Sequence, residues 1–259
     1  MNLILTEQRD HVGFITLNNP EKRNALSEAL VEALLVGLET LREQRVRVVI
    51  LRARPGEKVW SAGHDVNELP KTQRDPLGWD DPLRQLVRGI QCFPAPIIAM
   101  IEGTVWGGAC EMALACDLIV ATPATTFALT PAKLGVPYNA SGMVTFLNAA
   151  SVHIVKELVF TAQPLGAERA ERLGIVNHVV PVAELESFTL DLARGITRNA
   201  PLSVAVMKEQ LRILSGARPL SPEGFERVQG LRRVVYDSED YQEGIRAFKE
   251  KRTPDFKGR

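Results

Sequence analysis

The sequence predicts an α/β fold that gives way to a helical C-terminal segment. Two patterns carry that prediction: the early chain reads strand, strand, helix, strand, and beyond about residue 140 helical periods dominate. A chain of 259 residues suits one large domain or one domain with a small appendage. The expected division is an α/β core over residues 1–199 and a helical segment over 200–259.

Leu3–Thr6 and Val12–Leu17, with Gly13 inside the second run, read as a hairpin or meander that Asn18-Asn19-Pro20 ends. From Ser27 to Gln44 the apolar positions Leu30, Ala33, Leu34, Leu38 and Leu41 follow a helical period, with Ser27 as the cap. Val46–Leu51 is β-branched and apolar, a buried strand. Pro70, Pro76, Gly78 and Pro82 predict a mobile loop over residues 69–82. Leu83–Cys92 reads as helix, Pro96–Ile101 as strand, Gly107 to Ala115 as helix and Leu118–Ala121 as strand. Helical periods then cover Val182–Asn199, Pro201–Leu214, Pro222–Tyr236 and Glu239–Lys249, ahead of a polar tail. These late helices hold more apolar surface than a short tail can bury on itself, so they are expected to pack on the core and on another subunit.

Hydrophobic residues make up 45% and charged residues 24%, the balance of a soluble globular protein. Lys+Arg and Asp+Glu both total 31, so no polyanion-binding surface is indicated and nucleic acid is not an expected partner. Cys92, Cys110 and Cys116 are odd in number and lack CxxC spacing, which argues against disulfides or zinc and for a reducing, cytoplasmic setting. The first ten residues lack the apolar core of a signal peptide, and runs such as Ile97–Ile101 are too short to span a bilayer. His11, His153 and His178 show no metal-like clustering.

The chemistry concentrates in Ser61-Ala62-Gly63-His64-Asp65 and Val105-Trp106-Gly107-Gly108-Ala109-Cys110-Glu111, each following an expected strand. The first N–H groups of a helix lack partners and favour negative charge, and glycine lets another group approach the backbone. Such a terminus can hold an oxyanion. Tight helix–strand packing would use Gly107-Gly108 equally well.

These segments resemble the two oxyanion-hole motifs of the crotonase (enoyl-CoA hydratase/isomerase) superfamily. Further similar segments lie in register: Asn18-Asn19-Pro20 with Arg23-Asn24-Ala25-Leu26, Cys116-Asp117-Leu118-Ile119, Lys133-Leu134-Gly135, Leu173-Gly174-Ile175-Val176, and Phe248 through Phe256. The resemblance covers essentially the whole chain. It implies a crotonase-like spiral of ββα units with a C-terminal helical trimerisation segment, and self-association as a homotrimer or dimer of trimers. The implied ligand is an acyl-coenzyme A thioester, whose carbonyl oxygen the N–H groups of His64 and Gly108 would hold. No cofactor is implied, since coenzyme A is part of the substrate.

A closer resemblance, to the biotin-independent decarboxylases of that superfamily, rests on five features. They are His64 itself, Asp75-Pro76-Leu77 with Asp81 to Gln85, Val105 to Gly108, Val136-Pro137-Tyr138-Asn139, and Val235 to Gln242. It implies conversion of methylmalonyl-CoA to propionyl-CoA. Family hydratases use two glutamates; Glu111 matches the first, but Pro131 stands at the second and cannot transfer a proton. Decarboxylation removes no proton and needs only donors for the enolate oxygen and a scissile bond perpendicular to the thioester plane. Tyr138 is the candidate for orienting the carboxylate. Hydration or isomerisation of an enoyl thioester, or non-catalytic acyl-CoA binding, are the rival activities.

For the rest of the ligand, Lys22 and Arg23 are expected near the coenzyme A phosphates. Ala62, Asp65 and Val66 are expected along the adenine and pantetheine path, Thr130 and Leu134 at the acyl end, and Trp106 either shapes the acyl pocket or packs; Ala25, Gly63, Gly107 and Pro131 complete the expected substrate-binding set. Phe248 and Lys251 match C-terminal residues that touch coenzyme A, often across the subunit boundary. Arg84 and Glu111 are expected to form a structural ion pair, because a buried carboxylate needs a partner.

Overall fold

The structure, a computed structural model, describes residues 2–69, 80–216 and 221–259. The expected loop over 69–82 and the segment Asp75-Pro76-Leu77 therefore fall largely or wholly outside the described residues.

β1 (Ile4–Arg9) and β2 (Val12–Leu17) pair antiparallel, and every residue of β2 is buried. The Ser27 hydroxyl caps α1 (Glu28–Glu43) by accepting the Leu30 amide at 3.3 Å. The helix buries Leu30, Val31, Leu34, Leu38 and Leu41, the stripe its period requires. β3 (Val48–Ala53) starts two residues later than the apolar run suggests. β4 (Val59–Ser61) leads to α2 (Pro82–Cys92), capped by Asp81. β5 (Ile97–Ile101), β6 (Thr104–Trp106) and α3 (Gly108–Ala115) form the next unit. β7 (Leu118–Ala121), β8 (Thr126–Ala128) and α4 (Ala140–Ala149) form the one after. α5 (Val152–Thr161), β9 (Leu165–Gly166), α6 (Ala167–Arg172), β10 (His178–Val179) and α7 (Leu185–Thr197) complete the core. α8 (Pro201–Ser215), α9 (Pro222–Tyr236) and α10 (Glu239–Glu250) follow.

Consecutive strands divide between two sheets. One runs in the order β1-β2-β3-β5-β7-β10, the other β4-β6-β8-β9. β1 and β2 both join the larger sheet; from β3 to α4 each ββα unit contributes one strand to each sheet before its helix returns the chain, and the units stack as a spiral. Between β2 and β7 the larger sheet is parallel throughout, and its strands are almost wholly apolar because helices or the second sheet cover both faces. In the smaller sheet β4, β6 and β8 are parallel neighbours, so the loops after them emerge side by side.

The C-terminal helices return to this core. α10 packs on the turn Pro131–Leu134; a Cβ on Gly244 would collide with the Leu134 carbonyl, so the helix backbone rides directly on that turn. Tyr236, Tyr241 and Val136 form a small apolar cluster at the same junction. The tail folds back on α10: Glu243 pairs with Arg246 and Arg252 and accepts the Asp255 amide, and Asp240 accepts the Lys257 and Gly258 amides. Those cations hold the Glu243 carboxyl well below the usual carboxylate range. In contrast, α8 leaves Leu202, Val206, Met207, Leu211 and Leu214 exposed on the single chain. No helix among the described residues is long and apolar enough to cross a membrane.

Lys208 anchors α8. Its ammonium donates to Asp117 Oδ2 at 2.7 Å and to the carbonyls of Ala95 and Ile90 at 3.0 and 3.2 Å, in an 8% exposed environment. Lys208→Ala orphans the Ala95 carbonyl, leaves the Ile90 carbonyl to the Phe93 amide alone and leaves Asp117 Oδ2 to the Ile97 amide alone, so it should cost about 2 kcal/mol in denaturant unfolding; a loss below about 0.5 kcal/mol would assign α8 another anchor.

Candidate active site

Two neighbouring turns of the spiral aim backbone N–H groups at one space. After β4, Leu26 makes an isolated parallel bridge with His64. The bridge uses the residues flanking His64: the Leu26 amide donates to the Gly63 carbonyl at 2.8 Å, and the Asp65 amide to the Leu26 carbonyl at 3.4 Å. In a parallel ladder the middle residue's own N–H then faces the opposite way, here toward the next turn. That next turn is β6, where Gly107 adopts φ 52°, ψ −121°, a region open in practice only to glycine, and Gly108 becomes the first residue of α3.

The two turns approach closely. A Cβ on Gly63, at φ 82°, would sit 2.9 Å from the Gly108 nitrogen and would collide with the Trp106 carbonyl. A Cβ on Gly108 would lie 3.4 Å from the His64 nitrogen. Among the described residues neither the His64 nor the Gly108 amide donates to a protein acceptor. Two free donors therefore flank one point, with the N-terminal end of α3 behind them.

The Asn18–Leu26 segment braces this arrangement. Asn24, 1% exposed, donates from Nδ2 to the Trp60 carbonyl at 2.9 Å and accepts the Asn19 amide at 2.9 Å. The Ser61 hydroxyl donates to the Asn24 carbonyl at 2.7 Å, and the Ala62 amide to the Arg23 carbonyl at 2.9 Å. The loop after β4 is thus tied to a loop that precedes α1.

The donors open into a cavity of about 460 Å³. Its wall includes Arg23, Ala25, Ala62, His64, Asp65, Val66, Trp106, Gly107, Gly108, Glu111, Thr130, Pro131, Leu134, Tyr138 and Phe248. Gly63 lies behind the donors. Sequence reasoning missed Val59, Asn67, Leu69, Leu83, Lys133, Val136 and Pro137, which also line the cavity. Position was the available signal for most of them, since they flank the motifs at 61–66 and 130–138. Leu83 lies within the Asp81 to Gln85 segment but carries no expected site role; it reaches over from α2, and a Cβ on Gly108 would meet its Cδ2 at 2.7 Å.

Tyr138 stands edge-on to Phe146, ring centroids 4.7 Å apart, and its buried hydroxyl has no protein partner. Burial, reinforced by Cys110 and Glu111, pushes that phenol well above its ordinary pKa, so it remains a donor at any physiological pH. Glu111 is 1% exposed, and its Oε1 also lacks a partner. Burial pushes its carboxyl up to about 7, with Arg84 opposing and Asp81 reinforcing the rise. Burial likewise raises Asp81, an effect partly offset by the nearby His64 imidazole. His64 Nδ1 is buried and unpartnered.

One expectation changes. Arg84 and Glu111 make no contact ion pair: the guanidinium acts on the carboxylate only through its field, because α2 places it off the cavity wall. Lys251 closes α10 in the left-handed conformation at φ 54° and is exposed, outside this lining on the single chain. Lys22 is likewise exposed and absent from the lining, whereas its neighbour Arg23 contributes.

The enoyl-CoA hydratase/isomerase family profile matches residues 7–259. Methylmalonyl-CoA decarboxylase of Escherichia coli (strain K12) is 55% identical over 247 residues, which is 95% of each chain. Among solved structures, methylmalonyl-CoA decarboxylase in complex with 2-nitronate-propionyl-CoA superposes with a TM-score of 0.98 at 52% identity, covering 99% of both chains. The same enzyme complexed with 2S-carboxypropyl-CoA gives 0.98 and 52%, covering 100% of this chain and 99% of that one. Likeness of sequence and of backbone thus runs along nearly the entire length, and the chain belongs to the enoyl-CoA hydratase/isomerase family.

Proposed function

We propose that this protein decarboxylates methylmalonyl-CoA to propionyl-CoA by holding the thioester enolate between the N–H groups of His64 and Gly108. The observation that carries the reading is the pair of amides without protein acceptors at His64 and Gly108, residues that line one cavity together with Tyr138, whose hydroxyl is unpartnered. The likeness to methylmalonyl-CoA decarboxylase supports the choice of acyl group.

The thioester carbonyl oxygen accepts from His64 and Gly108. The substrate carboxylate accepts from the Tyr138 hydroxyl, which turns the C–CO₂ bond toward perpendicular to the thioester plane. That bond then breaks, its electron pair passes into the thioester π system, and negative charge collects on the oxygen between the two amides. Carbon dioxide leaves, and the α-carbon takes a proton to give propionyl-CoA. A neutral phenol orients the carboxylate without the ground-state stabilisation that an ammonium would add. Since the enolate needs only hydrogen-bond donors, the reaction calls for no biotin, metal or ATP. Hydration would require a second proton-transferring carboxylate where Pro131 forms the wall.

The wall also suits the rest of the ligand. Arg23 and Lys133 supply positive charge for phosphates, and Phe248 brings an apolar ring from α10. Free thiols at Cys92, Cys110 and Cys116 suit a reducing cytoplasm. We assign the exposed apolar face of α8 to self-association, as a homotrimer or a dimer of trimers.

Purified protein with chelator present should release carbon dioxide from methylmalonyl-CoA and form propionyl-CoA by mass spectrometry. Intact methylmalonyl-CoA bound without turnover would instead make the chain an acyl-CoA-binding protein. Tyr138→Phe should lower kcat about 100-fold while the propionyl-CoA Kd changes less than about threefold. Equal losses in both would reduce Tyr138 to a packing role.

A further inference from the structure

We propose, on the decarboxylation reading above, that binding of a carboxylate-bearing thioester is coupled to protonation of Glu111, so that substrate and one proton enter the site together. Glu111 lies on the first turn of α3, one helical turn from Gly108, and shares the cavity wall with Tyr138. Its other oxygen is pressed toward α4, where a Cβ on Gly142 would sit 2.9 Å from Oε2. The Gly142 amide is no help to it, because it donates to Asn139 Oδ1 at 2.6 Å. So Glu111 is a buried carboxyl with an open lone pair on Oε1, adjoining the space where an anion must bind.

The charged surroundings do not rescue the ionised form. On α2, Arg84 is the nearest cation, yet it makes no contact pair, Arg88 lies a turn further along, and Asp81 at the helix start adds like charge. On α3 the neighbour is the buried Cys110 thiol, pushed up to about 12 by burial. Tyr138 stays neutral, α4 carries no titratable side chain, and β6 carries none. Arg23, His64, Asp65 and Lys133 line the same cavity, and none of them pairs with Glu111. Burial, opposed by Arg84 and reinforced by Asp81, lifts the Glu111 carboxyl to about 7.

Two carboxylates sharing a dehydrated cavity do not both stay ionised. The substrate must keep its charge, since carbon dioxide leaves only from the carboxylate. The proton therefore resides on Glu111, whose O–H becomes a donor in place of an unsatisfied acceptor. The same coupling selects for carboxylated acyl groups below neutrality and weakens their binding above it. An uncharged acyl group feels neither effect.

Calorimetric titrations at pH 8 in buffers of different ionisation enthalpy measure this directly, with 2-carboxypropyl-CoA and propionyl-CoA as probes. The first should take up close to one proton and the second close to none. The Kd of 2-carboxypropyl-CoA should rise about fivefold from pH 7 to pH 8 and about tenfold from pH 8 to pH 9. Glu111→Gln should bind it without proton uptake and without that pH dependence, with propionyl-CoA binding checking that the variant is folded. Equal uptake for both probes, no uptake by the wild-type protein, or uptake that persists in Glu111→Gln would each overturn the coupling. So would failure of 2-carboxypropyl-CoA to bind where propionyl-CoA binds. Turnover of methylmalonyl-CoA with no proton uptake sinks this coupling alone; proton-linked binding with no turnover sinks decarboxylation alone.

Discussion

The approach of two backbone turns, one after β4 and one after β6, is the constraint on which the rest of the molecule depends. Two amides can serve one oxygen only if their chains nearly touch, and at Gly63 they do: any side chain there would run into the Trp106 carbonyl and the Gly108 nitrogen. The parallel pairing of β4 with β6 sets the separation, and the Leu26–His64 bridge sets the direction of the His64 N–H. Asn24 and Ser61 then lock the loop so that the donors are in place before any ligand arrives. Preorganised donors of this kind need no reorganisation as charge develops, which is why they lower a barrier more than water can.

The cavity beyond the donors has the opposite character. It is lined mostly by apolar groups; burial keeps the Tyr138 phenol protonated and lifts the Glu111 carboxyl to about 7, where it readily takes a proton. A protonated Glu111 beside a charged ligand suits a reaction in which that charge disperses onto the thioester. Pro131 contributes by omission, occupying the loop after β8 where a second carboxylate would introduce hydration chemistry. The helical C-terminus takes part as well, since α10 rests on the 131–135 turn and brings Phe248 to the rim.

Much of this was legible in the sequence, for identifiable reasons. α9 spans the residues its helical period predicts, and α1 begins where Ser27 marks it. The strands of the smaller sheet were not legible: β4, β6 and β8 are three residues each, too short for alternation to register, and their partners are some 20 to 45 residues away. Motif glycines marked the donors, but the direction of a backbone N–H is a property of pairing that no residue type encodes. Side-chain distances between helices are equally hidden. Arg84 and Glu111 have the right charges for an ion pair, yet α2 and α3 hold them out of contact, and the segment Asp81 to Gln85 does not reveal that its Leu83 covers Gly108.

The convergence of the His64 and Gly108 amides on one thioester oxygen is most directly tested by the infrared absorption of propionyl-CoA labelled with carbon-13 at its carbonyl. Two donors to that oxygen polarise the C=O bond, so the labelled stretch should fall below its frequency in water when the thioester binds, and Gly63→Ala should abolish the fall. A bound carbonyl absorbing at or above its solution frequency would contradict the account.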